Sequence, residues 1–185
     1  MFFPILALIL IGIAVYAVGI YNHLVSLKAQ IKASIQEIGN QLKRQADLIP
    51  NLEESAKAYL KHEKDILKML SDARKLVSAG RDASAKVSEL LPKLQVVVES
   101  NPQLKGADVV TDLMNELRDT SDKGMYSRRS LIDITADYNI QISTFPGNLF
   151  ASSFGFQPEK GLETPASGGF LQVSDSDTKT PKVSL

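Results

Sequence analysis

The sequence predicts an all-α protein: an N-terminal transmembrane helix that continues into an antiparallel bundle of three to four helices. Three observations carry this. No Asp, Glu, Lys or Arg precedes Lys28. Beyond it, apolar residues recur at steps of three and four, the spacing of one helix face. No alternation of period two, the mark of a strand, is sustained anywhere.

The first element is the apolar run from Ile5 to Tyr21, ILALILIGIAVYAVGIY. At about 1.5 Å per residue it spans roughly 26 Å, and the stretch from Phe2 to Val25 crosses a hydrocarbon core of about 30 Å. A cleaved signal peptide needs a positive n-region and a small-residue cleavage site after a polar stretch. The run has neither, so it reads as a retained anchor, residues 1–22, with Tyr16 and Tyr21 as interface aromatics. Lys28, Lys32, Lys43 and Arg44 follow it against Glu37 and Asp47. That bias places the N-terminus outside and the rest in the cytoplasm.

Leu24, Leu27, Ile31, Ile35, Ile38 and Leu42 continue the helix out of the membrane. Pro50 then stands inside QLKRQADLIPNL. A proline in the first turn of a helix loses nothing. Two readings compete: Pro50 kinks one continuous helix from Ile5 to about Ala79, or the chain turns there. The corner is preferred: helix 1 ends near Asp47, Asp47 caps the next helix, and Arg44 pairs with Asp47. The second pattern runs Leu52, Ala56, Tyr59, Ile66, Leu70, Ala73 and Val77, and Gly80 stops it. Asp82 or Ser84 caps a third helix containing Pro92. Asn101-Pro102 reads as the start of the fourth. That one runs Val109, Leu113, Leu117, weakens near Gly124, and resumes at Leu131, Ile134, Tyr138, Ile142 and Phe145, until Pro146-Gly147 ends it. The bundle is thus assigned to residues 23–156. The stretch 157–185, rich in Pro, Gly, Ser and Thr, reads as a disordered tail.

An up-and-down bundle returns helix 4 to the membrane end. Tyr138-Asn139 is then expected level with Tyr21-Asn22, and Phe150, Phe154 and Phe156 lie either on lipid or over the end of the bundle. Glu63 falls on the apolar seam between Tyr59 and Ile66, so it needs a cationic partner. Arg74, Arg128 and Arg129 are the candidates.

Composition narrows function. The 185 residues include no Cys and two His, and formal charge is zero. Thiol chemistry is excluded, and nothing recruits nucleic acid. His62-Glu63 is not a zinc HExxH, because Ile66 stands where the second His belongs. No phosphate loop or nucleophile elbow is present. The expectation is a protein with no catalytic site and no cofactor or metal. A hydrolase or metal enzyme using His62 and Glu63 is the weaker alternative.

Several stretches, in order, resemble the LemA family of bacterial membrane proteins: YNHLVSLK, QLKRQADLIPNL, AYLKHE with DARKL, ESNPQLK, and DYNIQISTFPGNLFASSFGF. The resemblance covers roughly Tyr21 to Glu163. It departs at Gln45 and Ala46, at Asn101, and at Ser121–Gly124 and Leu131-Ile132. It implies a single-pass protein of the bacterial plasma (inner) membrane with a cytoplasmic helical bundle and no established catalytic residues. The implied role is a scaffold or adaptor in membrane organisation. Expected partners are the lipid bilayer, other proteins with a membrane protease among the candidates, and further copies of the chain. A membrane-linked signalling or sensory module is the alternative.

Overall fold

The computed structural model describes residues 2–57, 59–60, 63–101 and 108–162. Five helices are described: α1, Phe2–Lys57; α2, Lys64–Ser78; α3, Ser84–Ser100; α4, Asp108–Ser143; and α5, Gly147–Ser153. There is no strand among the described residues.

α1 runs unbroken for 56 residues, about 84 Å, so the chain does not turn at Pro50. The buried face of α1 explains this. Gln45, Leu48, Ile49, Leu52 and Ala56 keep one helical spacing on both sides of the proline. An interior proline costs about 3 kcal/mol or more. Burying Leu48, Ile49 and Leu52 stabilises by roughly 1.5–3 kcal/mol each, and a straight continuation buries all three. The turn comes later. Leu60 is fully buried, and its N–H bonds the Ala56 carbonyl at 3.0 Å. Pro92 is likewise interior to α3.

α2 ends as the sequence predicts. Gly80 has φ +66°; its N–H bonds Val77 O at 3.0 Å and the Arg81 N–H bonds Leu76 O at 2.9 Å. This double bond with a left-handed residue is a Schellman close, which favours glycine. At the start of α3, Asp82 Oδ1 accepts the Ser84 N–H at 2.8 Å. Asn101 closes α3; Pro102, and with it the expected start of the fourth helix there, lies outside the described residues.

α4 packs antiparallel along α1. Arg44 meets Glu116, Gln41 lies under Gly124, and Lys28 sits over Tyr138. The α2–α3 hairpin closes a four-helix bundle at the end far from the N-terminus: α1 borders α4 and α2, and α3 borders α2 and α4. The large core lies here, from Leu48 to Leu117. A second, smaller core gathers Ile20, Leu24, Leu27, Ile31, Leu131, Tyr138 and Ala151 near the N-terminal end. Between them lies a polar belt of Gln41, Gln45, Thr120 and Ser127. This belt is why the apolar pattern weakens near Gly124, although α4 runs straight through it.

The charged residues find other partners than expected. Arg44 grips Glu116 Oε1 through Nη2 (2.6 Å) and Nε (3.0 Å), tying α1 to α4 instead of pairing with Asp47, which is exposed. Glu63 is exposed at the start of α2, not buried in the seam, so it needs no partner. Arg74 bonds Glu53 at 3.3 Å, Arg128 pairs with Asp82 and bonds Ser84 Oγ at 3.2 Å, and Arg129 faces Asp133 one turn along at 3.9 Å. For Glu63 the reason is the continuous α1, which moves the corner past Lys57 and leaves Glu63 outside the seam.

Candidate functional site

Of the sequence-named residues, Tyr21, Tyr138, Asn139, Phe145, Pro146, Phe150, Phe154 and Phe156 gather toward the end where α1 carries its apolar run, whereas Arg44, Asp47, Pro50, Glu63, Arg74, Arg128 and Arg129 lie further along the bundle. From Phe2 to Val18 that run is exposed almost throughout. α1 is the one helix among the described residues long and apolar enough to cross a membrane.

α4 reaches this end and stops at Ser143. Pro146 cannot donate to a continuing ladder, and α5 starts at Gly147 on a new axis. A Cβ on Gly147 would lie 2.2 Å from the Gln141 carbonyl oxygen, so the turn is closed too tightly for any side chain there. α5 then buries Gly147 and Ala151 against the small core. Phe150 packs edge-on to Tyr16, centroids 6.0 Å apart. Tyr21 is held between Phe154 (5.2 Å) and Phe156 (5.7 Å). Such tilted aromatic pairs contribute roughly 0.5–1.5 kcal/mol beyond area burial. Phe150 and Phe156 are half-buried, whereas Phe145 is 80% and Phe154 46% exposed.

A strap follows. Gln157–Leu162 does not leave the bundle but lies back along it. The Tyr138 hydroxyl donates to the Gln157 carbonyl at 2.9 Å. Asn139 Nδ2 donates to the Glu159 carbonyl at 2.9 Å, and the Glu159 N–H donates back to Asn139 Oδ1 at 3.0 Å. The Glu159 carboxylate bonds Lys28 Nζ at 2.8 Å. Gly161 rests on Thr135. The hydrogen bond to Glu159 holds the Lys28 ammonium above its ordinary pKa, against a smaller opposing effect of burial. Burial raises the Tyr138 phenol, offset in part by Lys28. The expected disordered tail is therefore corrected for 157–162; residues 163–185 lie outside the described set.

Tyr138-Asn139 is not level with Tyr21-Asn22. Tyr138 faces Lys28, about two turns further from the apolar run, because α5 folds back and takes the place opposite Tyr21. Asn22 is exposed and takes no part in the strap. Sequence reasoning missed Lys28, Glu159 and the clamping role of Asn139. A charged residue in a Pro- and Ser-rich tail gave no reason to suspect a fixed partner.

Among the described residues no group of three His, Asp or Glu is placed to hold a metal. The described residues line several clefts, among them one of about 200 Å³ bounded by Leu42, Lys43, Ala46, Val77, Gly80 and Arg81 and a larger one of about 660 Å³ between Gln95, Glu99, Met114 and Arg118. His62 lies outside the described residues.

The fold and its two ends define a class: a helical bundle carried on one long helix whose free end is long and apolar enough to cross a membrane. The LemA family matches residues 34–184, and the chain belongs to that family. No curated protein matches it.

Proposed function

We propose that this protein is a single-pass scaffold or adaptor of the bacterial plasma membrane, with the N-terminus outside and the bundle in the cytoplasm. One observation supports the reading above others: α1 is a single helix from the apolar end into the core of the distal bundle. Such a helix holds a four-helix surface at a set height over the bilayer. The positive residues Lys28, Lys32 and Lys43 after the apolar run favour the orientation. The partners are other proteins, a membrane protease among them, or further copies of the chain. The reading gives the bundle no catalytic role. The test is crosslinking in native membranes followed by mass spectrometry. Reproducible partners or self-crosslinks are expected, and recovery of monomer alone overturns the proposal.

The unbroken helix also favours a second reading, a signalling or sensory module in which displacement of the span is passed to the bundle. Deleting residues 2–4 separates the two: a scaffold keeps its crosslinks, whereas a sensor changes its output while insertion is preserved. Replacing His62 and Glu63 with Ala tests the enzymatic alternative, which requires function to fall with an unchanged melting curve.

A further inference from the structure

We propose that α5 and its flanking turns are a second membrane contact, with Phe145, Leu149 and Phe154 entering the boundary between headgroups and acyl chains where α1 leaves the bilayer. The proposal rests on reading α1 as the membrane span.

Position is the first argument. Phe150 contacts Tyr16 and Phe154 contacts Tyr21, so α5 lies against the last turns of the apolar run, which ends at Tyr21. A bilayer that covers that run reaches α5 as well. Exposure is the second. Phe145 is 80%, Leu149 57% and Phe154 46% exposed, and Tyr21 and Val25 are exposed beside them on α1. These residues continue the apolar surface of the span and do not form an isolated patch. The aromatic residues thus divide: Phe150 and Phe156 cover the small core, while Phe145 and Phe154 face outward.

Polarity is the third argument. No Asp, Glu, Lys or Arg occurs between Asp137 and Glu159. Three of the four exposed hydroxyls there are already bonded within the chain, Ser143 being the exception, and the exposed Asn148 amide adds a second free polar group. Thr144 donates to Ile140 O at 2.9 Å, and Ser152 and Ser153 donate to Leu149 O at 3.2 and 2.9 Å. Groups with an internal partner lose little on leaving water. Charge resumes at Lys28 and Glu159, which neutralise one another. The contact is therefore apolar and has no need of anionic lipid.

The chain contains no Trp, so one introduced Trp is a unique reporter. Full-length Ile9→Trp, Phe145→Trp, Leu149→Trp and Ile132→Trp variants are placed in phosphatidylcholine vesicles carrying bromine at shallow or deep acyl positions. Ile132 is an exposed α4 residue further from the apolar run. The expected result is blue-shifted emission at positions 145 and 149 with strongest quenching by shallow bromines, deep quenching at position 9, and water-like unquenched emission at 132. If positions 145 and 149 behave like 132 while position 9 is quenched, the second contact is refuted and the anchor stands. A blue shift without bromine quenching places protein over α5 and refutes it too. If position 9 is unquenched, the anchor reading itself fails.

Discussion

Asn139 is the most direct test of the strap. Its amide makes a reciprocal pair with the Glu159 backbone, at 2.9 and 3.0 Å, which copies the two-bond pairing of antiparallel strands. Asn139→Ala removes both bonds and leaves the Glu159 N–H and carbonyl to water. At about 1 kcal/mol net for each neutral hydrogen bond, the loss is about 2 kcal/mol. The Lys28–Glu159 pair has side chains 44% and 34% exposed, so it contributes at most about 1 kcal/mol and cannot compensate. With about 1.4 kcal/mol per tenfold, opening of the strap becomes about 30-fold more favourable. Hydrogen exchange followed by mass spectrometry reads this directly in peptides covering 157–162. Tyr138→Phe, which removes one bond to Gln157, accelerates the same peptides by about 5-fold. Peptides from the distal core, Leu48 to Leu60, are unchanged in both variants. Unaltered exchange at Glu159 in Asn139→Ala refutes the clamp.

Other substitutions probe the remaining features. Pro50→Ala restores a helical N–H donor without moving the chain, so it raises stability by about 1–3 kcal/mol; a lower melting temperature shows that the proline shapes the turn after all. Gly147→Ala forces a Cβ against the Gln141 carbonyl, and the resulting shift of α5 abolishes the Tyr21 ring contacts, read as loss of aromatic cross-peaks in NMR. Gln45→Leu replaces a fully buried amide whose Oε1 has no hydrogen-bond partner; denaturant unfolding is expected to shift upward by about 1–3 kcal/mol. For Asp82, burial alone raises the carboxyl pKa, but the Ser84 N–H and hydroxyl and the Arg128 guanidinium outweigh it and hold it below the ordinary 3.8. Its stabilisation is present above pH 3.8 and is lost as pH falls through the lower folded value. The α2–α3 hairpin therefore loosens in acid, and Asp82→Asn removes that pH dependence.

Where the sequence failed, the cause lies in packing. Pro50 has a strong local meaning, yet the buried face that overrides it is visible only once α2, α3 and α4 lie against Leu48, Ile49 and Leu52. The true corner after Lys57 carries neither glycine nor proline, so no local signal marks it. Arg44, Arg74 and Arg128 each needed a partner, but Glu116 and Glu53 belong to other helices and Asp82 to the turn between α2 and α3, so the pairs are set by how these elements lie together. The strap is the extreme case. Its composition argues for disorder, and only the face of α4 that presents Tyr138 and Asn139 to it supplies the bonds that hold it.

The sequence by itself determined the apolar run, the helical class and the Gly80 stop, and it marked Asp82, whose carboxylate accepts the Ser84 N–H, at the start of the third helix. Each follows from short-range chemistry: hydropathy, the 3.6-residue period, left-handed glycine, and a carboxylate beside free N–H groups. Only the tertiary structure decided that α1 is one helix, that a polar belt separates two cores, and that the aromatic residues of the closing segment divide between core and outer surface. Those outcomes depend on which faces meet, and the free energy of a contact is fixed by both partners, one of which is always distant in the chain.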